Sequence, residues 1–213
     1  MPGCVSCSED KFEGRSPAYK RALFAVIAIN GAMFLTEMAA GYLGGSQALK
    51  ADALDFAADT ATYAMSLAVI GAALRVRATA ALIKGASLGL MALWVLGSTV
   101  ASALHGGDPQ APVMSGIGLL ALAANAASLL ILLRWRAGDS NVRSVWLCSR
   151  NDTIGNVAVI AAGGAVWLTG SFWPDLVVAA LLGGLFMKSS LAIIAQAIDE
   201  RRASANYAES RPT

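Results

Sequence analysis

The apolar positions of this chain fall in six long blocks, at approximately 21–43, 47–74, 80–104, 112–134, 145–169 and 173–198. Each reaches the roughly 20 residues with which an α-helix crosses about 30 Å of hydrocarbon. A transmembrane β-barrel would show segments of about ten residues alternating apolar and polar. The blocks here are continuous and rich in Ala, Leu and Gly, so the pattern predicts helices. The first block follows a polar leader and is longer than the roughly 7–15 residues of a signal-peptide core, so it reads as a span. The expectation is an all-α polytopic membrane protein with six transmembrane helices. A polar tail (1–17) precedes the helical region (18–199), and a short tail (200–213) follows. Too little chain is left over for a folded soluble domain.

Composition supports this reading. The 213 residues are 56% hydrophobic and 14% charged, with a mean hydropathy of +0.59. Soluble domains carry about 25% charged residues, so this chain lacks the charge for a polar shell. Its cations are placed asymmetrically. Lys11, Arg15, Lys20 and Arg21 precede helix 1; Arg75, Arg77 and Lys84 lie between helices 2 and 3. Arg134, Arg136 and Arg143 lie between helices 4 and 5, and Arg201, Arg202 and Arg211 follow helix 6. The three opposite connections contain only Lys50. Positive residues accumulate on the cytoplasmic side, which predicts that both termini are cytoplasmic, in an inner or plasma membrane. The net charge of +2 then reports topology and gives no reason to invoke nucleic acid. Trp135, Trp146, Trp167 and Trp173 fall near predicted interfaces, where amphipathic rings sit. Trp94 falls mid-helix, which that preference does not explain.

Ionisable residues inside spans are costly and usually face a cavity or pathway. Helix 1 carries Glu37, helix 2 carries Asp52, Asp55 and Asp59, and helix 5 carries Arg150 and Asp152. The apolar runs of helices 3 and 4 are read as free of such residues. Asp55 and Asp59 are one turn apart and share a face of helix 2. Asp52 extends that stripe, although it is near enough to the helix start to be a capping group. On helix 5, Cys148 and Asp152 repeat the four-residue spacing. A facing pair of helices would therefore present four O and S ligands, a set that suits a tetrahedral divalent ion such as Zn²⁺. At about 1.5 Å rise per residue, Asp55 lies roughly 15 Å from one end and Asp152 roughly 16 Å from the other. In a core about 30 Å thick the two pairs meet near the middle. A structural carboxylate cluster, neutralised by protons or by Arg150, is the competing reading. A buried Cys is also most often a small hydrophobe, so Cys148 is open between ligand and packing. Glu37 suits a supporting or proton-carrying role, and His105 suits a solvated loop. Cys4 and Cys7 form a CxxC on the reducing side, where a structural disulfide is not expected; weak accessory metal contact and a plain polar tail are its two readings.

These residues carry a resemblance to the cation diffusion facilitator family. Glu37, Gly41, Gly44 and Ser46, followed by Ala48-Leu49-Lys50-Ala51-Asp52-Ala53-Leu54-Asp55-Phe56-Ala57-Ala58-Asp59, resemble its helix 1–2 signature. Val142-Arg143 and Cys148-Ser149-Arg150-Asn151-Asp152-Thr153-Ile154-Gly155-Asn156 resemble its second H/D-x-x-x-D and the following Asn, and Trp173-Pro174-Asp175 fits the entry to helix 6. The resemblance covers about residues 18–199. It implies export of divalent metals such as zinc, cobalt, cadmium, iron or manganese, usually in exchange for protons. It further implies a site made by Asp55, Asp59, Cys148 and Asp152, with Glu37, Asp52, Asn151 and Asn156 as supporting or proton-coupling groups, and a homodimer. No cofactor is implied beyond the transported ion.

Two departures matter. Cys148 stands where the family usually has His or Asp, and thiolate favours Zn²⁺ or Cd²⁺ over Mn²⁺. If Cys148 is not a ligand, Asn151 or water could complete the site. The family also commonly continues into a cytoplasmic metal-binding domain, whereas helix 6 is expected to end near Asp199 with a short polar tail. On this reading, three carboxylates and a thiolate cannot all stay ionised in a low dielectric, so the empty site holds protons that metal binding releases. The rival readings are an organic-cation/proton antiporter, an intramembrane aspartyl enzyme using Asp59 and Asp152, and a non-transporting sensor or scaffold. Helices 2 and 5 offer the first few aromatics (Phe56, Tyr63, Trp146, Trp167), and the second lacks any Gly-x-Gly-Asp element.

Overall fold

A computed structural model describes residues 16–68, 74–135 and 140–209; the side chains of 66, 74–78, 135, 140–151, 154, 200 and 202–209 lie outside that description. Cys4 and Cys7 therefore fall outside the described residues. The six helices that the apolar blocks predict are present: α1 (Pro17–Leu43), α2 (Gln47–Ala68), α3 (Leu74–His105), α4 (Ala111–Leu132), α5 (Ser140–Thr169) and α6 (Trp173–Glu209). No strand occurs among the described residues.

The helix ends follow local chemistry. Ser16 caps α1, its Oγ accepting from the Tyr19 N–H at 3.2 Å, and Pro17 occupies the first turn, where no N–H is needed. The α1–α2 turn depends on Gly45, whose φ of +65° is a conformation L side chains rarely adopt. His105 closes α3 and is exposed, with Nδ1 2.8 Å from the Ala101 carbonyl, so it ends a helix where a loop was expected. Helix α6 runs ten residues past Asp199 to Glu209. No Gly or Pro interrupts that stretch, and its alanines favour continued helix.

By length and composition four helices suffice to span a membrane: α1, the Thr79–His105 part of α3, α4 and the Trp173–Asp199 part of α6. Helix α2 falls short because Lys50, Asp52, Asp55 and Asp59 lie within it. In α5 the described apolar stretch is only Gly155–Thr169. The polar cost thus sits on the two helices whose spacing pointed to a site.

The main packing pairs are α3 with α6, α1 with α2 and α4 with α5; α2 also touches α3, α5 and α6. Lipid tails are as apolar as leucine, so membrane helices associate through close packing of small residues. An added Cβ at Gly85 would come within 2.7 Å of Ile194 on α6, and one at Gly163 within 2.8 Å of Ser115 on α4. Large side chains such as Leu35, Leu90, Leu104 and Leu181 point outward. A buried cluster including Leu49, Leu88, Met114, Val159 and Phe186 fills the interior. Trp94 belongs to the outward set, and its ring lies 6.5 Å from that of Tyr42 on α1. Tyr42 in turn carries the Lys50 ammonium 4.6 Å from its ring centroid. The mid-helix tryptophan thus meets, in a tilted contact, the tyrosine that carries the Lys50 ammonium.

Candidate metal centre

Helix α2 is held at its first turn by a residue that belongs to another helix. Ser46 Oγ accepts from the Leu49 N–H at 3.0 Å as an ordinary N-cap. Asp175, in the first turn of α6 and 1% exposed, accepts from Ser46 Oγ–H at 2.6 Å, Gln47 N–H at 2.8 Å and Ala48 N–H at 3.0 Å. One carboxylate thereby satisfies three donors, at the end of α2 where the helix dipole is positive. Gln47 Nε2 donates to Ser102 Oγ on α3 at 2.7 Å, and Gln110 N–H donates to the Gly44 carbonyl at 2.9 Å. The turn before α2 is therefore tied to α3, to the α3–α4 link and to α6, which fixes the depth and rotation of the aspartates that follow.

Along α2, Asp52 and Asp59 are buried and Asp55 is half-buried. Asp59 is 8% exposed and accepts a hydrogen bond from the Tyr63 hydroxyl one turn further on. Asp152 of α5 lies within reach of both Asp55 and Asp59, so its carboxyl interacts with the pair. Three of the four predicted ligands are thus brought together across the α2–α5 contact. Cys148 and Asn151 lie on the described backbone of α5, and their side chains are outside the description. Among the described residues no three His, Cys, Asp or Glu side chains close into a ligand set on their own.

Glu37 and Asp52 form a second contact, between α1 and α2 and nearer the turn that joins them. Glu37 is 0% exposed and lies close enough to Asp52 for the two carboxyls to interact. Neither Glu37 oxygen makes a well-formed hydrogen bond among the described residues, and Asp52 Oδ2 is likewise unbonded. Asn156, buried one turn beyond Asp152, also has both polar atoms unbonded. Buried polar groups normally find partners, so these atoms are the unusual feature of the α1–α2–α5 contact among the described residues.

The sequence reading placed Lys84 in the connection between helices 2 and 3 and helix 3 without internal charge. The structure corrects this: α3 begins at Leu74, so Lys84 sits ten residues inside it, half-buried and acting on Asp59. The apolar Ala80–Ile83 run before Lys84 is the signal that the helix had already begun. Asp175 was read only as part of a helix entry, and its cross-helix role has no local signature. Tyr63, four residues after Asp59, was accessible from spacing.

Two curated relatives match the chain, each 25% identical over 200 residues, covering 85% of this chain. They are the metal cation efflux system protein CzcD of Cupriavidus metallidurans and the cation efflux system protein CzcD of an Alcaligenes strain. The chain spans 63% of the length of these relatives. Residues 23–200 match the model of the cation efflux transmembrane domain; with six packed helices around a buried acidic contact, the chain belongs to the cation efflux family and is a multi-pass integral membrane protein.

Proposed function

We propose that the protein exports a divalent metal cation in exchange for protons, through a site between α2 and α5 made by Asp55, Asp59, Asp152 and Cys148. The observation that carries this reading is the position of Asp152 against both Asp55 and Asp59 in a member of the cation efflux family. Asp59 lies twelve residues after Gln47, and Asp152 twelve after Ser140. At about 1.5 Å per residue each is roughly 18 Å along its helix, so antiparallel helices meet there near the middle of the bilayer. Both termini are cytoplasmic, following the lysines and arginines. The name of one relative, a metal cation efflux system protein, supports a metal cation as cargo, and Cys148 as a ligand favours Zn²⁺ or Cd²⁺ over Mn²⁺.

The chemistry follows from charge. Clustered carboxylates in a low dielectric hold protons when no ion is present, and a divalent ion displaces them. Alternating exposure of the loaded site to one side and of the protonated site to the other exchanges metal for protons. Glu37 and Asp52, buried beside the site with unbonded oxygens, carry or relay the protons, and Asn156 and Asn151 support the ligands. A homodimer is part of the proposal through the family. The cavity between α2 and α3 is lined by Ala, Met, Ile and Leu side chains with Lys84 and Ser87; that lining holds no aromatic ring to cage an organic cation.

Cobalt binding tests the ligand set. A tetrahedral Co²⁺ spectrum with a thiolate charge-transfer band, lost in Cys148→Ser, is the expected result. A wild-type spectrum unchanged by both Cys148→Ser and Asp152→Ala would remove the site from α5.

A further inference from the structure

We infer that Tyr63 closes the cytoplasmic side of the carboxylate site: its ring completes a dry apolar plug between α1, α2 and α4, and its hydroxyl ties that plug to Asp59. The inference rests on the transport reading above and deepens it by naming the barrier that an ion crosses to load.

Tyr63 lies one turn beyond Asp59 on α2, about 6 Å nearer the end that the lysines and arginines assign to the cytoplasm. It is fully buried, and its ring packs in a cluster with Tyr19, Leu23 and Val26 of α1 and Leu132 of α4. Each of those four partners is 2% exposed or less. The α1 members follow closely on the helix start at Pro17, and Leu132 is the last residue of α4. The cluster therefore fills the inner ends of three helices, and Asp59 stands one turn outward of it. The tip of the same tyrosine is polar, and its hydroxyl donates to Asp59 Oδ2. Tyrosine joins an apolar body to a polar end, so one side chain belongs both to the plug and to the site.

Hydrophobic constrictions gate membrane pathways by excluding water. Leu23, Val26 and Leu132 offer an ion no ligand, so a divalent cation cannot pass between them stripped of its water. Loading along this face of the bundle requires the plug to part. Moving the Tyr63 ring out of the cluster carries its hydroxyl away from Asp59, and closing brings it back. The bond therefore supports the ligand only while the inner side is shut, which holds a loaded ion until the site opens on the other side.

The test uses the full chain in detergent. Zn²⁺-loaded protein mixed with excess chelating dye gives the dissociation rate, calorimetry gives Kd, and their ratio gives the association rate. Leu132→Ala and Leu23→Ala thin the plug without changing a ligand. Each should raise both rates at least about tenfold, a barrier lowered by about 1.4 kcal/mol, with Kd within about threefold of wild type. Leu182→Ala, which trims a buried leucine of α6 outside the plug, controls for general loosening and should leave both rates as in wild type. Tyr63→Phe keeps the ring and removes the tether, so its dissociation rate should rise more than its association rate. Wild-type rates in whichever plug variant folds, equal acceleration by Leu182→Ala, or a wild-type dissociation rate in Tyr63→Phe would overturn the inference. Asp152→Ala separates the two claims. If it abolishes Zn²⁺ binding while the plug variants match wild type, only the gate fails. If it binds Zn²⁺ as wild type does, the transport site itself is misassigned.

Discussion

Replacing Asp175 should destabilise the protein far more than a single surface carboxylate normally would. Its two oxygens accept from three donors at the start of α2, and the residue is 1% exposed. In Asp175→Ala all three donors lose their acceptor. A buried donor left unsatisfied costs about 1–3 kcal/mol, and a cap about 1. Allowing for partial rescue by water at a helix end, the total is about 3–5 kcal/mol. In Asp175→Asn the amide oxygen can replace Oδ1, which serves Ser46 and Ala48. The amide nitrogen then faces the Gln47 N–H, donor against donor. That variant loses one bond and costs about 1–3 kcal/mol. For a chain of this size each kcal/mol shifts Tm by about 2–4 °C, so Asp175→Ala should melt about 6–20 °C lower and Asp175→Asn about 2–12 °C lower. Thermal unfolding in one detergent, followed by tryptophan fluorescence, measures both. A Tm for Asp175→Ala within 1–2 °C of wild type would refute the claim that this carboxylate anchors α2.

Three further outcomes are expected. Tyr63→Phe removes the hydroxyl that donates to Asp59, and loss of such a supporting bond typically weakens metal affinity about 10–100-fold; Zn²⁺ calorimetry checks this, and an unchanged affinity would make Tyr63 a packing residue. Gly85→Val should destabilise by about 1–3 kcal/mol through overpacking, because even a Cβ there comes within 2.7 Å of Ile194; the same melting assay reads it, with Gly97→Val, where a Cβ meets nothing within 4 Å, as the harmless control. Zn²⁺ affinity should fall as pH is lowered, since binding releases protons and acid drives that equilibrium back; titrations between about pH 6 and 8 that show no pH dependence would argue against proton-loaded ligands.

The architecture was legible because a bilayer allows few solutions. Six apolar blocks of spanning length read as helices and six helices are present, although α3 begins six residues before its block and α6 runs eleven residues past its own. The carboxylates were legible for the same reason: Asp55, Asp59 and Asp152 are too costly in hydrocarbon to be accidental, and helical spacing put each on a definable face. Contacts between distant elements were not legible. Asp175 caps a helix 127 residues away in sequence, and nothing near it announces that. Trp94 lacked an explanation until Tyr42 of α1 was found beside it. Lys84 shows a different failure: a lysine near a span boundary reads as a loop cation, and only the true start of α3 at Leu74 places it within the helix. Glu37 was anticipated as a supporting group, but its pairing with Asp52 came from the α1–α2 packing.

The most direct test of the central claim is Zn²⁺ flux into proteoliposomes carrying an internal pH dye, with Co²⁺, Cd²⁺ and Mn²⁺ in parallel and Asp59→Ala as control. The account predicts saturable flux of Zn²⁺, opposing proton movement, little Mn²⁺ transport, and loss of both signals in the variant. Folded protein that moves no metal, or an Asp59→Ala variant that moves it at the wild-type rate, would contradict it.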